Sequence, residues 1–442
     1  MKKLYVVLAA ICITALVSCF SPWEGGNGEI RIAFSDRRHS ASITAFNNES
    51  DITYEITLTG PGGITHTYTY DFAGSNTVSI AVTPGDWSIA IRTVGAPFSA
   101  YWDYPALRAL GFSETPVTVR AGQSAQAQIA MTPAFEISTP QQMSWVLGES
   151  APPEAILVIT GQIGASAPFG ISGNITLIPD GNAEIYREST NTDNIFAIHG
   201  GALTLGRGGM SGSIVIDGRD VLGDPLIYIG ANGNLFMHDG VTLTGGNTEE
   251  WSTTGASGGG GAVYVTTATS DFTMYGGVIS GNATQEQGGG VQIWLGTFTI
   301  NSGTISNNTS AWGGGGVAVL GNGRFTMNSG TISDNTSAWE GGGVAVIGSD
   351  GHSTFTMHGG IISGNTSAWE GGGIAVIVLE DGNGNSTFTM YGGRIYGSNA
   401  PSGRQNVAEL NGHALFVDTG GTASFGGALG MEAIGTSNLT LP

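Results

Sequence analysis

Lysine is almost missing from this chain. Only Lys2 and Lys3 occur, so every other basic side chain among the 14 Lys and Arg of its 442 residues is arginine, against 34 Asp and Glu. The formal net charge of −20 argues against a nucleic-acid partner and against adhesion to anionic headgroups, both of which need a basic surface. Cysteine is as scarce, with Cys12 and Cys19 alone. That excludes a disulfide scaffold, and no Cys/His set suggests zinc. Charged residues are only 11% of the chain, so its polar surface must come from Thr, Ser and Asn more than from ions. Long apolar runs are missing too. The one candidate, Leu4 to Val17, is too short and too near the N-terminus to read as a membrane span. What the chain has in abundance is glycine, 74 residues. High glycine without a collagen-like period suits a β-rich extracellular protein, and the length leaves room for two or more domains.

Met1-Lys2-Lys3 followed by that apolar run has the layout of a secretory signal peptide. It closes with "LVSC", Leu16 to Cys19, which resembles the lipobox of bacterial lipoproteins. The resemblance implies that residues 1–18 are removed and that Cys19 carries lipids; several acyl chains on one residue hold a protein stably on a membrane. The other reading is an ordinary secretory signal with a chance cysteine. Cys12 would leave with the peptide, so no intrachain disulfide is expected. Twelve arginines would then face 34 acids, a net charge near −22.

Residues 19–28, including "FSPWEGGN", read as a polar tether. Over 29–133 short alternating strands are separated by turn signals: Pro61-Gly62-Gly63, Pro84-Gly85-Asp86 and Ala121-Gly122-Gln123. Hairpins at this spacing predict an antiparallel β-sandwich. The "V-x-P-G-x-W" and "V-x-V-x-A-G" stretches loosely resemble transthyretin- or carboxypeptidase-regulatory-like modules, which implies a stalk or spacer. Composition changes at "PAFEISTPQQMSWVLGES". Thr139 can cap a helix with Pro140 at its first position and Gln142 completing a capping box. Met143, Val146 and Leu147 would share one face, and such a helix would cover the open end of a stacked sheet over 134–442.

From Gly258 a repeat is explicit. "FTMYGGVISGN", "FTINSGTISNN", "FTMNSGTISDN", "FTMHGGIISGN" and "FTMYGGRIYGSN" begin at Phe272, Phe298, Phe325, Phe355 and Phe388, at spacings of 26, 27, 30 and 33 residues. Glycine-rich runs with period-two alternation exclude a helical repeat. Each unit reads as three short strands, G-G-G-V-x-V, F-T-M and the segment around T-I-S. Alternation sends Phe325 and Met327 inward and Thr326 outward. Asn282, Asn308, Asn335 and Asn365 share one column, where stacked amides can bond from rung to rung; the longer Ile395–Asn399 segment is expected to end it. The unit resembles right-handed parallel β-helix repeat proteins, pectin-lyase-like in architecture. It is particularly like bacterial surface lipoproteins with tandem "GTFTMxxGTISGN" coils, and distantly like polymorphic outer membrane proteins. The expected fold is therefore all-β: a β-sandwich, then a right-handed parallel β-helix with a short capping helix.

That fold also hosts polysaccharide lyases and hydrolases. Asn191-Thr192-Asp193 looks like the N-T-D of polygalacturonases, and Ile216 to Asp220, "IDGRD", is acid-rich. The companion acids, the G-H-G and the R-I-K of that family are absent. His352 and His413 follow glycines in unrelated contexts, and the arginines are scattered. No matched acid–base pair can be assembled, so no catalytic residue is assigned. "DGNGN", Asp381 to Asn385, begins like a Ca²⁺ loop but has Ser386 where that loop requires glycine and Gly392 where it requires glutamate. No metal or other cofactor is expected.

Two surface features remain. Glu286, Trp312, Trp339 and Trp369 each lie four residues past a turn Asn. Rungs ~4.8 Å apart let the three indoles stack, either as an exposed strip for sugars or a protein, or as buried pins of the turn. The loop between V-x-V and F-T-M also lengthens, from six steps (Val319 to Phe325) to nine (Val346 to Phe355) to twelve (Val376 to Phe388). Insertions at one corner of a solenoid commonly build its binding face. Paired outward threonines, such as Thr354 and Thr356, occur in too few coils to argue an ice-binding array. The expectation is a non-enzymatic protein of the cell envelope, at the outer membrane or cell surface and anchored to the membrane through lipidated Cys19. Trp312, Trp339 and Trp369 would serve an extracellular glycan or a host or neighbour-cell protein. A polysaccharide-acting enzyme is the alternative.

Overall fold

The computed structural model describes residues 28–36, 53–71, 77–94, 107–113, 115–148, 152–207, 212–249, 259–349, 351–379, 384–425 and 439–440. The signal peptide, Cys19 and the tether up to Asn27 lie outside these residues, as do Asp381 to Asn383 of the candidate Ca²⁺ loop. The backbone divides into two compact units, one reaching Glu136 and including Glu154–Leu157, the other comprising Ile137–Pro153 and Val158 onward.

The first unit is all β. Thr53–Thr59 and Thr65–Asp71 form the hairpin that Pro61-Gly62-Gly63 predicts, with Tyr54 opposite Tyr70 and Leu58 opposite His66. The other two turns are not hairpins. Thr77–Val82 pairs with Gly28–Asp36, whereas Gly85–Val94 pairs with Thr53–Thr59, so Thr83-Pro84 carries the chain from one layer to the other. Val117–Val119 likewise pairs with Gly85–Trp87, while Ser124–Ile137 continues elsewhere. That last strand joins the layers. Ser124–Met131 runs parallel to the first strand, and Thr132–Phe135 runs antiparallel to Leu107–Phe112, so the sandwich is mixed and not purely antiparallel. Turn residues mark where a chain reverses; they do not say which strand it reverses onto. Alternate residues, including Ile30, Ile32, Ile56, Leu58, Ile89, Ile91 and Ile129, meet in one apolar core around fully buried Trp87. The Trp87 indole N–H donates to the Thr83 carbonyl at 2.9 Å, which fixes the crossing.

The second unit opens with the helix Pro140–Leu147. Thr139 Oγ1 accepts from the Gln142 amide at 3.3 Å, but the Gln142 side chain accepts from Ser138 at 2.8 Å and not from the cap residue, so the capping box closes one residue early. Met143 and Val146 are buried, Leu147 only half so, and the helix packs on Gln162–Ala165 and Phe169–Ile171. Those are the first strands of two parallel sheets of the solenoid.

Parallel ladders then run the length of the β-helix. The F-T-M strands stack Leu235, Phe272, Phe298, Phe325, Phe355 and Phe388 in exact register, with ring centroids 4.4 to 5.2 Å apart over the five phenylalanines. Ile163, Ile185, Ile216, Leu243, Ile279, Ile305, Ile332, Ile362 and Ile395 form one column of a nine-stranded sheet. All are essentially unexposed, as are Phe325 and Met327, while Thr326 between them is half-exposed. From Leu222–Gly223 to Val407–Ala408 seven successive coils have a fourth strand beyond the three expected: Thr309–Ser310, Thr336–Ser337, Thr366–Ser367 and their neighbours pair in a seven-stranded sheet of two-residue strands. Two residues are too few to leave a periodic signal.

The Gly-Gly-Gly run follows from this stacking. Gly341 has φ +67°; a Cβ on Gly342 would stand 2.5 Å from the Gly372 carbonyl, and one on Gly343 would stand 2.6 Å from that of Gly373. The first glycine meets a left-handed backbone, and the other two let successive rungs touch.

Candidate functional site

Two side-chain columns rise from the turn between the T-I-S and V-x-V strands, and they differ in kind. Asn282, Asn308, Asn335 and Asn365 are at most 1% exposed. Each Nδ2 donates to the next residue's Oδ1 at 2.9–3.0 Å and also to a carbonyl of the preceding coil, such as Asn335 to Ile305 at 3.0 Å. Each Oδ1 from Asn308 onward also receives the backbone N–H of the Asn one rung before. The ladder does not end at Asn365. The chain makes a detour after Ile395, and Asn406 takes the next position, bonded to Asn365 at 2.9 Å. A buried amide that meets donors and acceptors on both sides is structural.

Four residues on from each Asn, the second column faces solvent. Trp312 and Trp339 stack at 5.3 Å between ring centroids and 16° between planes; Trp339 and Trp369 stack at 4.5 Å and 21°. Trp312 is 45% and Trp369 43% exposed, with Trp339 intermediate. The backbone holds the column in register: the Trp339 N–H donates to Trp312, Trp369 to Trp339 and Leu410 to Trp369, at 2.9, 3.3 and 2.9 Å. In the later two coils a serine hydroxyl fixes the turn. Ser337 Oγ accepts the Trp339 amide at 3.1 Å and donates to the Trp312 and Glu340 carbonyls; Ser367 does the same one rung on. Leu410, 59% exposed, extends the ridge. It was not evident in the repeat, but it stands four residues past Asn406, as each Trp stands past its own Asn.

Carboxylates accompany the indoles. Glu286 heads the column, and Glu340 and Glu370 follow Trp339 and Trp369. Glu370 Oε1 accepts from Asn411 Nδ2 at 3.1 Å. Burial, with Glu370 and Asp418 nearby, pushes the Glu340 carboxyl above its ordinary range.

A further column, exposed except for half-buried His238 and Asn301, runs along the F-T-M edge: His238, Tyr275, Asn301, Asn328, His358 and Tyr391. His238 stacks on Tyr275 at 5.0 Å, Asn328 donates to Asn301 at 2.9 Å, and His358 stacks on Tyr391 at 5.1 Å. Its letters vary from coil to coil, which hides it in the sequence.

The enzyme-like motifs are placed as follows. Asn191 is buried, its Nδ2 donating to the Ala165 carbonyl at 3.1 Å and its Oδ1 accepting the Asp193 amide. Asp217 accepts the Arg219 amide at 2.7 Å in a turn where Arg219 and Asp220 both take left-handed φ, and Arg219 pairs with Glu184 at 3.0 Å. His352 Nε2 meets Thr387 Oγ1, and His413 Nδ1 accepts the Ala408 amide, both at 3.0 Å. Arg187 points into the solenoid, wholly unexposed, donating to the Val221 carbonyl at 3.0 Å and to that of Asp224. Burial lowers its pKa to about 10 against the attraction of Asp224 and Asp193. Among the described residues no three His, Cys, Asp or Glu side chains gather as metal ligands. Compared with protein-family models, with curated proteins and with solved structures, the chain matches none of them.

Proposed function

We propose that this is a non-catalytic binding protein of the bacterial cell envelope, held on the outer membrane or cell surface by lipidated Cys19. Its pectin-lyase-like β-helix presents the ridge Trp312–Trp339–Trp369–Leu410 to an extracellular glycan or to a protein of a host or neighbouring cell. The observation that carries the reading is the exposure of that ridge. An apolar column with solvent on its flank, while the turn beneath it is already held by the Asn ladder and by Ser337 and Ser367, has little structural work left to do. Aromatic side chains so placed are typical binding hot spots.

Two experiments test it. Cys19→Ser should move the protein from the membrane fraction to the soluble one; retention after a salt and carbonate wash would refute the anchor. Changing Trp312, Trp339 and Trp369 together to Ala should lower adhesion to glycan arrays and to cells by roughly 2 kcal/mol or more in binding free energy, with the far-UV circular dichroism and melting curve kept. Early melting together with lost adhesion would make the indoles structural pins instead.

A polysaccharide-acting enzyme is the second reading, favoured by the approach of Asp193 and Asp224 to Arg187. Against it, the Arg187 guanidinium is sealed inside the coil on backbone carbonyls. Turnover of a polysaccharide that is lost in Asp193→Asn would reinstate it.

A further inference from the structure

We infer that the occupant of the ridge is a cationic polypeptide segment, bearing Arg or Lys, and not a stacked sugar or a second copy of this chain. This deepens the reading above and rests on it. Carbohydrate platforms work through the open faces of aromatic rings, against which sugar C–H groups lie. Here the faces are spent on one another. Trp339 has Trp312 on one face and Trp369 on the other, at 5.3 and 4.5 Å. What the ridge offers along its length is ring edges, with Leu410 continuing the column beyond Trp369. Edges of indoles carry the positive side of the ring quadrupole, so they suit the backbone carbonyls of a polypeptide better than a pyranose ring.

The charge beside those edges selects the partner's sign. Glu340 and Glu370 follow its indoles, and exposed Glu409 precedes Leu410. The Glu370 carboxylate accepts from the neutral amide of Asn411, and the charges beside Glu340 are further acids, Glu370 and Asp418. The ion pairs Arg31–Glu29, Arg92–Glu55 and Arg219–Glu184 all lie elsewhere. Uncompensated carboxylates next to an apolar ridge are complementary to a partner that carries both apolar and cationic side chains. A second copy fits badly, because it would bring the same carboxylates against their own images on a chain whose net charge is already −20.

The test uses the full chain in detergent micelles and isothermal titration calorimetry. The probes are a peptide of alternating arginine and leucine, its glutamate–leucine counterpart, and neutral cello- and chito-oligosaccharides. We expect the arginine peptide to bind and the glutamate peptide not to. Binding should weaken about tenfold or more in Glu340→Gln/Glu370→Gln, and weaken again as salt rises from about 50 to 300 mM. It should vanish in Trp312→Ala/Trp339→Ala/Trp369→Ala. Because that triple variant risks its fold, Glu340→Lys/Glu370→Lys is the second arm: with the indoles intact it should exchange the preference, taking the glutamate peptide. Trp-dependent binding of a neutral oligosaccharide without the arginine peptide would overturn the cationic partner while leaving the ridge as a site. Peptide binding indifferent to the indoles would overturn the ridge itself. Trp-dependent dimerisation in sedimentation velocity, with no peptide binding, would make the occupant a second copy and overturn the inference.

Discussion

The coils between residues 158 and 248 and those between 259 and 417 follow one backbone course with very different sequences. Leu203, Leu235 and Phe272 lie in unbroken register, as do Ile185, Ile216, Leu243 and Ile279. Only the later coils carry the recurring F-T-M and T-I-S phrases. The buried polar groups differ accordingly. In the early coils Arg187, Asn191 and Asn194 each reach a backbone carbonyl on their own terms; in the later coils one amide repeats on every rung and bonds to its own copies. The β-helix therefore requires only inward apolar residues in register. Verbatim repetition is required by something additional, side chains whose partner is the same side chain one rung away. Repetition marks ladders, and the fold extends beyond it.

The largest test of that comparison is in the core. Ile185 and Ile332 share a column although only Ile332 lies in the repeat. Ile185→Asp and Ile332→Asp should each cost about 4 kcal/mol or more, an unpaired charge in an apolar interior. Thr326→Asp, on the outer face, should stay within about 0.5 kcal/mol. Thermal melts decide it: an Ile185→Asp variant as stable as the parent would mean that the early coils do not share this stack.

A smaller difference should separate the polar interiors. Asn335→Ala removes the acceptor of the Asn308 side chain and amide, and the donors to Asn365 and to the Ile305 carbonyl. The buried Asn308 amide and one of its Nδ2 hydrogens lose their acceptor at once, for about 3 kcal/mol. Asn191→Ala orphans the Asp193 amide, whereas the Ala165 carbonyl keeps the Glu188 amide as a donor, and should cost about 1 kcal/mol. Equal losses in urea titrations would argue that the ladder has no cooperativity beyond its pairwise bonds.

Most of the fold was legible because it depends on alternation, which a sequence displays directly. Phe325 in, Thr326 out and Met327 in follow from period two alone. The sandwich hairpins at Pro84 and Ala121 were misread because a turn within a sheet and a crossing between sheets use the same residues. Asn406 was missed because the detour after Ile395 breaks the count, and Leu410 with it. The indole column was legible, since Trp312, Trp339 and Trp369 repeat at one offset from the Asn. Its ring planes were not, because a sequence places a side chain on a rung without saying which way the ring faces. That plane separates a sugar platform from a ridge of edges.

The finest contrast is in pH. His238 belongs to the early coils, and burial together with the Arg207 guanidinium holds its imidazole below the ordinary value of 6.5. The unfolded chain then binds more protons than the folded one just below pH 6.5, so this group's contribution to stability declines on acidification. Glu340 belongs to the later coils, and burial, reinforced by Glu370 and Asp418, holds its carboxyl above 4.5. Here the folded chain keeps a proton that the unfolded chain gives up. Stability therefore declines as pH rises above 4.5 through the raised value, and returns on acidification. Between pH 7 and 4.5 the two regions should respond in opposite directions. Amide hydrogen exchange, corrected for its intrinsic pH dependence, should show protection falling around Leu235–Met237 and rising around Val344–Val346. His238→Asn should abolish the first change and Glu340→Gln the second. Protection that moves in the same direction in both regions would mean that neither group governs its own coil.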